Sequence, residues 1–330
     1  LHHAYVDGVG ASYSLEQLYR EVPGYEHEAP EPWEPRPAPS WGRRLWLGIV
    51  DWPEVVLKNL PKVVSGIRQK RALEKQYADE GKPPHPSPGM MPHTPINAVL
   101  HYGRTFVCDS MPLADFHTIS TGLGVTINDV FLCCAAGAIR QLFLEGHYNP
   151  DTSPLIAATP FAGKRPEGME GLGNFVTLDY CWLHTEIDDP LERLHASHQA
   201  AADMKVHLNK MVEMNADFSA IMKILPPWIV KAFSWWLREK KRGSLSLFAN
   251  VALSNVPGPR KQLYFDKYKL DNWFSTGQII DGTCLNMTMW SYINNVNLCV
   301  LADKKVLPDG WKLYDYFTAE LAKLVALIPQ

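Results

Sequence analysis

The first eight residues constrain this chain more than any other stretch, because they combine two adjacent histidines with an Asp-Gly step in the pattern H-H-x-x-x-D-G, from His2 to Gly8. Tyr5 and Val6 favour a strand here, and successive side chains of a strand leave opposite faces. His2 and His3 therefore cannot both face one substrate. One neutral imidazole can take a proton from an alcohol while the other packs behind it.

Asp7 and Gly8 follow at the point where we expect this strand to end. An Asp-Gly step turns the chain sharply, and its carboxylate can bond an Arg or backbone N–H groups. The alternative is an ordinary cap and turn beside two structural histidines. A metal site is not favoured, because neighbouring strand histidines diverge and no third ligand lies at helical spacing.

Composition and charge narrow the class of protein. The chain has 330 residues, 46% of them hydrophobic, which is enough for large cores and more than one domain. A formal net charge of −3 argues against a protein built around nucleic acid. The six cysteines lie in apolar runs without metal-ligand or redox spacing, as expected of a reduced cytosolic protein. No signal peptide is visible, and no uncharged apolar run approaches the ~18 residues that span a bilayer, so any membrane contact should be peripheral.

Two Pro-rich stretches, 25–40 and 81–95, indicate linkers. Residues 41–76 between them predict helix, broken near Pro53 and Pro61, with basic side chains among aromatic and aliphatic ones. A second basic and aromatic helix is predicted at 223–242. These helices either lie on an anionic lipid surface or are ordinary crossover and core helices.

Strands and helices alternate beyond residue 96 without a regular β-α-β repeat, which indicates an α+β architecture. Strands are predicted at 104–108, 155–159, 174–183, 248–253, 277–281, 285–292 and 296–302. Helices are predicted at 111–123, 190–214 and 313–327, after a short one at 12–21. A further helix is predicted after Thr126, with an apolar run at 130–143. No phosphate-binding or dinucleotide Gly motif and no G-x-S-x-G is present, so phosphoryl transfer, hydride transfer and serine hydrolysis have no support.

The helix that follows Thr126 is the best marked of these elements. Thr126 and Asp129 have the spacing of a capping box, so Asn128 and Asp129 fall in the first turn. The positive end of the helix dipole there can face a developing negative charge, although capping alone would also explain Asp129. Asn255 follows a strand, and its amide can serve a carbonyl or an alcohol or simply brace a turn.

Six further short motifs follow along the chain: T-P-I-N at 94–97, P-L-A-D at 112–115, T-I-N-D-V at 126–130, Gly173-Asn174, S-N-V-P-G-P at 254–259 and Asp281-Gly282. With H-H-x-x-x-D-G they resemble the bacterial wax ester synthase/acyl-CoA:diacylglycerol acyltransferase (WS/DGAT) family of the chloramphenicol acetyltransferase-like superfamily. The resemblance covers most of the chain beyond residue 90. It implies a two-lobed α+β fold of mixed sheets flanked by helices, with the active site between the lobes.

The same resemblance implies how the chain divides. Residues 1–24 would end the N-terminal lobe, 25–95 would form linkers and a crossover helix, and 96–330 would form the C-terminal lobe. Relatives carry a substantial segment before the histidines. We therefore expect this chain to be a fragment whose N-terminal piece belongs to the same fold, in the same chain or a separate one.

The resemblance also implies the chemistry: transfer of a long-chain acyl group from acyl-CoA to diacylglycerol or a long-chain alcohol, by a cytoplasmic protein at a membrane or lipid-inclusion surface. His3 would be the general base, His2 its structural partner and Asp7 an orienting group. Gly8 would allow the turn. Neither a metal nor a cofactor would be needed, because acyl-CoA is a co-substrate.

The remaining candidate residues would organise the substrate or stabilise the oxyanion: Asn128, Asp129, Ser254 and Asn255. Arg165, in a Gly-rich loop, would contact a CoA phosphate, pair with Asp7 or be solvated. Two other functions stay open. One is condensation on carrier-protein thioesters, and the other is a lipid-coating role without catalysis.

Overall fold

The computed structural model describes residues 7–25, 32, 34, 37–162, 176–213, 224–239 and 248–328. The chain divides into two compact units. The first holds residues 1–25, 86–205 and 237–330, and the second holds residues 26–85 and 206–236. The lobe boundaries predicted at residues 24 and 95 stay predictions.

The described elements mix helices and strands as predicted. The helices are α1 (Gly8–Leu18), α2 (Trp41–Asp79), α3 (Leu113–Leu123), α4 (Ile127–Glu145), α5 (Pro190–Glu213), α6 (Pro227–Glu239) and α7 (Gly310–Ala326). The strands are β1 (Arg104–Pro112), β2 (Leu155–Ala162), β3 (Val176–Leu183), β4 (Val251–Val256), β5 (Tyr264–Phe265), β6 (Tyr268–Lys269), β7 (Leu285–Tyr292) and β8 (Asn295–Asp303).

The first unit is built on a six-stranded mixed sheet with the order β1-β8-β7-β4-β2-β3. β4 is parallel to both β2 and β7, and the other neighbours in the sheet are antiparallel. β5 and β6 form a separate hairpin. This arrangement confirms the predicted α+β class.

One face of this sheet carries the main core. Val251 and Leu253 of β4 alternate with residues that point to the other face, and both join the core cluster. α4 is buried along most of its length and packs against α7, where the rings of Phe131 and Phe317 lie 6.0 Å apart. By length and composition α4 is also apolar enough to cross a membrane, but 72% of that apolar window is buried inside the fold.

The second unit contains α2, the end of α5 and most of α6. Leu73 and Tyr77 of α2 form a small core with Met211 of α5. Trp52 donates its indole N–H to the carbonyl of Ile224 at 3.1 Å. α2 runs unbroken over 39 residues, so the predicted breaks at its two prolines are wrong. Each proline removes only one N–H donor, and the remaining hydrogen bonds of so long a helix sustain it.

The strand predicted at 277–281 is also wrong, since only an isolated bridge joins Ile280 to Thr283. The N–H of Gly277 instead donates to the side chains of Asn286 at 3.3 Å and Thr288 at 3.2 Å, both on β7. The segment therefore bonds to side chains on the face of the sheet and does not extend the backbone ladder.

Candidate active site

His2, His3 and Arg165 lie outside the described residues, and so does Gly173-Asn174. The geometry of the candidate site is therefore built from the remaining candidates in the first unit. These are Asp7, Gly8, Asn128, Asp129, Ser254 and Asn255.

Asp7 is the N-cap of α1. Its side chain is 2% exposed, and its Oδ1 accepts a hydrogen bond from the N–H of Gly10 at 2.9 Å. A carboxylate at this end of a helix also faces the positive end of the dipole. Gly8 is the first helical residue and its φ is not positive, so the sharp turn expected at Asp-Gly is replaced by the start of a helix. Asp7 thus fixes where the chain leaves the histidine segment.

α1 packs against the face of the sheet opposite the main core. Leu15 and Tyr19 of α1 contact a cluster that also receives Val256, the last residue of β4. The buried members of this cluster are Leu263, Trp273, Trp290 and Tyr292. Backbone hydrogen bonds in both directions join Arg20, just after α1, to Tyr264. The helix capped by Asp7 and the end of β4 therefore share one packing cluster.

Ser254 and Asn255 are adjacent in sequence, but near the end of β4 their side chains point to opposite faces of the sheet. Asn255 follows Leu253 on the core face, whereas Ser254 lies in register with Thr288 of β7 and points to the other face. Asn255 donates its amide N–H to the Oδ1 of Asn128 at 3.4 Å. Asn128 and Asn255 are thus brought together, and Ser254 is not part of their contact.

The turn after Asn255 is tightly fitted. A Cβ on Gly258 would lie 2.0 Å from the backbone oxygen of Ser291, so only glycine fits. The N–H of Gly258 donates to the hydroxyl of Ser291 at 3.1 Å, and the N–H of Ile293 donates to the carbonyl of Pro259 at 3.1 Å. The S-N-V-P-G-P stretch therefore holds Asn255 in place through the neighbouring β7–β8 hairpin.

The capping box predicted for α4 is confirmed. Asp129 accepts from the N–H of Thr126 at 2.8 Å, and the hydroxyl of Thr126 accepts from the N–H of Asp129 at 3.3 Å. Asp129 is 1% exposed. Capping accounts for this residue, and it leaves Asn128 in the first turn as the residue that reaches Asn255.

His198 on α5 is a partner of this turn that sequence analysis did not assign. Its Nδ1 lies 2.7 Å from the Oδ2 of Asp129, and its side chain is 47% exposed. The other oxygen of Asp129 has no hydrogen-bond partner within the described part of the chain. The sequence contained a signal for this contact, because the spacing of Leu191, Leu194 and His198 puts the three side chains on one face of the helix. A histidine on such a face usually packs or pairs with a buried acid.

Two of the other motifs prove to be structural. The amide of Asn97 donates to the carbonyls of Gly282 at 2.7 Å and Asn250 at 3.1 Å. Its Oδ1 accepts from the hydroxyl of Thr94 at 2.5 Å and from the amide of Asn250 at 2.8 Å. T-P-I-N and Asp281-Gly282 therefore meet in one buried polar network that anchors the chain entering this unit.

The buried cysteines are poor nucleophiles. Burial raises the pKa of the Cys181 thiol to about 12, and it raises the pKa of the Cys133 thiol to about 12. Thiolates are therefore scarce at neutral pH, and a covalent cysteine intermediate is not favoured. Within each compact unit taken by itself, the described His, Cys, Asp and Glu residues form no group of three with ligand atoms within 4.8 Å of one another.

Comparison with known proteins identifies the family of this chain. Residues 1–131 match the wax ester synthase/diacylglycerol acyltransferase catalytic domain, and residues 172–325 match the WS/DGAT C-terminal domain. A relative from Mycobacterium tuberculosis, which carries a provisional diacylglycerol O-acyltransferase name, is 39% identical over 99% of this chain and 68% of its own length.

Two more distant relatives give the same result. The O-acyltransferase WSD of Acinetobacter baylyi is 29% identical over 97% of this chain and 68% of its own length. The solved wax ester synthase/diacylglycerol acyltransferase from Marinobacter aquaeolei superposes with a TM-score of 0.58 at 23% identity, over 97% of this chain and 66% of that one. The last match confirms the predicted fold, and the chain spans about two thirds of the length of these relatives. By its two matched domains and its 39% identity to the Mycobacterium tuberculosis relative, the chain belongs to the wax ester synthase/diacylglycerol acyltransferase family of O-acyltransferases.

Proposed function

We propose that this acyltransferase moves a long-chain acyl group from acyl-CoA to the hydroxyl of diacylglycerol, with long-chain alcohols as a second class of acceptor. The names of the relatives support both acceptor classes. The observation that carries the proposal is the buried cap of Asp7 on a helix that packs beside the end of β4. Leu15 and Tyr19 of that helix share a packing cluster with Val256, the residue after Asn255, which supports a common site.

The reaction needs a base and a stabilised oxyanion. His3 takes the proton of the acceptor hydroxyl, and the oxygen attacks the thioester carbonyl. The tetrahedral intermediate collapses with formation of the ester C–O bond and cleavage of the C–S bond. The CoA thiolate then takes the proton from His3. His2 packs behind His3, and Asp7 fixes the segment through α1, which begins at Gly8.

The amides near the end of β4 have the second role. Asn128 and Asn255 lie at the start of a helix and the end of a strand, and they can donate to a substrate oxygen. Asp129 shapes this turn by capping it. Ser254 points to the opposite face of the sheet, which is the face that α1 packs against. Arg165 is assigned to a CoA phosphate, and the chemistry uses neither a metal nor a further cofactor.

Contact with a lipid surface supplies the apolar substrates in this proposal. α2 and α6 of the second unit expose large side chains, with Trp46 at 61% and Trp235 at 63%. Lys and Arg occur beside these residues, as in helices that lie on anionic membranes. We place the protein peripherally on the cytoplasmic membrane face or on lipid inclusions.

Acyl transfer by the full-length protein tests this function. Labelled palmitoyl-CoA is offered with dioleoylglycerol or hexadecanol to the wild type, His2→Ala and His3→Ala. We expect ester from the wild type and a loss of at least ~10²-fold in His3→Ala if that residue is the general base. A folded His3→Ala variant with wild-type turnover would contradict the assignment. If a folded wild type turns over only a carrier-protein thioester, the acyl donor is wrong.

A further inference from the structure

Two cysteines face each other at the edge of the six-stranded sheet. Cys108 of β1 lies directly opposite Cys299 of β8 in an antiparallel ladder. Opposite residues of such a ladder place their side chains on the same face, so the two thiols are neighbours. Cys108 is half-buried and Cys299 is fully buried.

Backbone hydrogen bonds at both ends of this ladder show which kind of pair the cysteines form. The N–H of Leu113 donates to the carbonyl of Asn294 at 2.8 Å, and the N–H of Lys304 donates to the carbonyl of Gly103 at 3.1 Å. Hydrogen-bonded and non-hydrogen-bonded pairs alternate along an antiparallel ladder. Counting inward from either end assigns the hydrogen-bonded pairs to odd-numbered residues of β1. Cys108 therefore lies in a non-hydrogen-bonded pair.

This kind of pair has the separation that a disulfide requires. Non-hydrogen-bonded pairs are the closer ones, with Cα atoms roughly 4.5 Å apart. A disulfide joins Cα atoms over roughly 4.4–6.8 Å. Burial, with a smaller contribution from the neighbouring Cys108 thiol, raises the pKa of the Cys299 thiol to about 12. The backbone pairing thus places the two thiols within reach of a disulfide bond.

The other cysteines are not arranged in this way. Cys133 and Cys134 are consecutive on α4, where successive side chains point about 100° apart. Cys181 lies on β3, at the opposite edge of the sheet from β1. The thiol of Cys284 donates to the carbonyl of Ala98 at 3.1 Å. The sequence alone did not single out the pair, because its members are far apart along the chain.

We propose that Cys108 and Cys299 form a reversible thiol–disulfide site whose oxidant is a small hydroperoxide. Cys108, the accessible member, attacks the peroxide, so that an S–O bond forms, the O–O bond breaks and water or an alcohol leaves. The Cys299 thiol then attacks the resulting sulfenic sulfur, the S–S bond forms and water leaves. Two thiols lose two electrons and two protons, and the peroxide takes them up.

The second step is expected to be slow, because the buried Cys299 thiol is almost entirely protonated near neutral pH. The product ties the edge strand β1 to β8 and shields Cys108 from further oxidation. A dithiol reductant restores both thiols.

The test is peptide mapping of the folded full-length protein after exposure to hydrogen peroxide. Free thiols are blocked with N-ethylmaleimide before digestion without reductant. We expect a Cys108 peptide joined to a Cys299 peptide, lighter by two hydrogen atoms than the sum of the separate peptides. Dithiothreitol should remove this product, and the oxidised protein should unfold at a higher temperature than the reduced protein.

Two variants serve as controls. Cys108→Ser should leave Cys299 as a free thiol. Cys108→Ser combined with Asp109→Cys moves the thiol to a residue that points to the other face, and it should form no bridge. Circular dichroism checks that both variants fold. Two results would overturn the proposal: sulfinic or sulfonic acid on Cys108 with Cys299 free, or no change at either cysteine under peroxide that oxidises both in denatured protein.

Discussion

Asn255 and Asn128 meet side chain to side chain although 127 residues separate them in sequence, with the amide nitrogen of Asn255 3.4 Å from the Oδ1 of Asn128. This is a long hydrogen bond and contributes little stability by itself. The hydrogen bond nevertheless joins the carboxyl end of β4 to the first turn of α4. Two amides are held there on rigid elements, at the end of the strand whose last residue, Val256, packs in the same cluster as α1.

The first prediction concerns these two amides. Asn128→Ala and Asn255→Ala should each lower kcat by ~10²-fold if both stabilise the oxyanion, with little change in melting temperature. The double variant should lose less than the product of the single losses, because the two side chains act together. Asn209→Ala, an exposed residue of α5, is the control. Full activity in either single variant would remove that amide from the site.

The second prediction concerns His198, whose Nδ1–H donates to the buried carboxylate of Asp129 at 2.7 Å. His198→Ala should destabilise the fold by roughly 1 kcal/mol, because the imidazole is half exposed and solvent screens the pair. It should also lower kcat more than it changes KM, since Asp129 shapes the turn that holds Asn128. His198→Asn should recover most of the rate, because its amide nitrogen can replace Nδ1.

His195, an exposed histidine of the same helix, provides the matched control for this measurement. His195→Ala should leave the melting temperature and both kinetic constants unchanged. Equal losses of stability in His198→Ala and His198→Asn, with normal kcat in both, would show that His198 has only a structural role.

The third prediction concerns Gly137 on α4. A Cβ there would lie 2.5 Å from Oε2 of Glu320 and 2.6 Å from Nη2 of Arg193, which form a buried ion pair. Gly137→Ala should cost about 1–3 kcal/mol through overpacking, and more if the pair separates. Gly48→Ala on exposed α2, where no atom lies within 4 Å of the new Cβ, should gain up to about 1 kcal/mol. Denaturant unfolding measures both, and similar values would contradict the packing shown at Gly137.

The fourth prediction is a pH dependence. The carboxylate of Asp303 is fully buried, and desolvation alone would raise its pKa. Hydrogen bonds from the N–H groups of His101 at 2.5 Å and Lys305 at 2.8 Å, with the nearby His101 ring, outweigh desolvation and lower the pKa. The ionised form is therefore favoured in the folded state.

The sign follows from that lowered pKa. The stabilisation is complete above the unfolded value of about 3.9 and is lost as pH falls through the lower folded pKa. Asp303→Asn should reduce the free energy of unfolding at pH 7, and the difference from the wild type should shrink below about pH 4. A difference that stays constant down to pH 2.5 would show that packing dominates.

The fifth prediction concerns the exposed tryptophans of the second unit. Trp46→Glu combined with Trp235→Glu should weaken binding to phosphatidylglycerol vesicles at least ~10-fold, because apolar area is lost and negative charge is added. Trp311→Glu, at an exposed position of α7 in the first unit, is the matched control. Sedimentation with vesicles at two salt concentrations measures the effect. Equal binding by both variants would place the lipid contact elsewhere.

The sequence by itself determined the local elements and the family. Thr126 and Asp129 predict the start of α4, because a capping box is a local contact between residues three apart in sequence. The alternation of side chains in the strand predicted at 248–253 likewise needs only the period of a strand, although the strand itself runs from Val251 to Val256. The ordered motifs identify the acyltransferase family, since each is readable without knowing what it touches.

Only the tertiary structure decided which of these residues meet. Asn128 and Asn255 contact each other, His198 pairs with Asp129, and Ser254 turns to the opposite face from Asn255. The continuous path of α2 through its two prolines was not evident either. These contacts depend on packing between segments that are far apart along the chain. The hydrophobic effect that drives this packing is non-directional, so a local sequence pattern does not show which segments will meet.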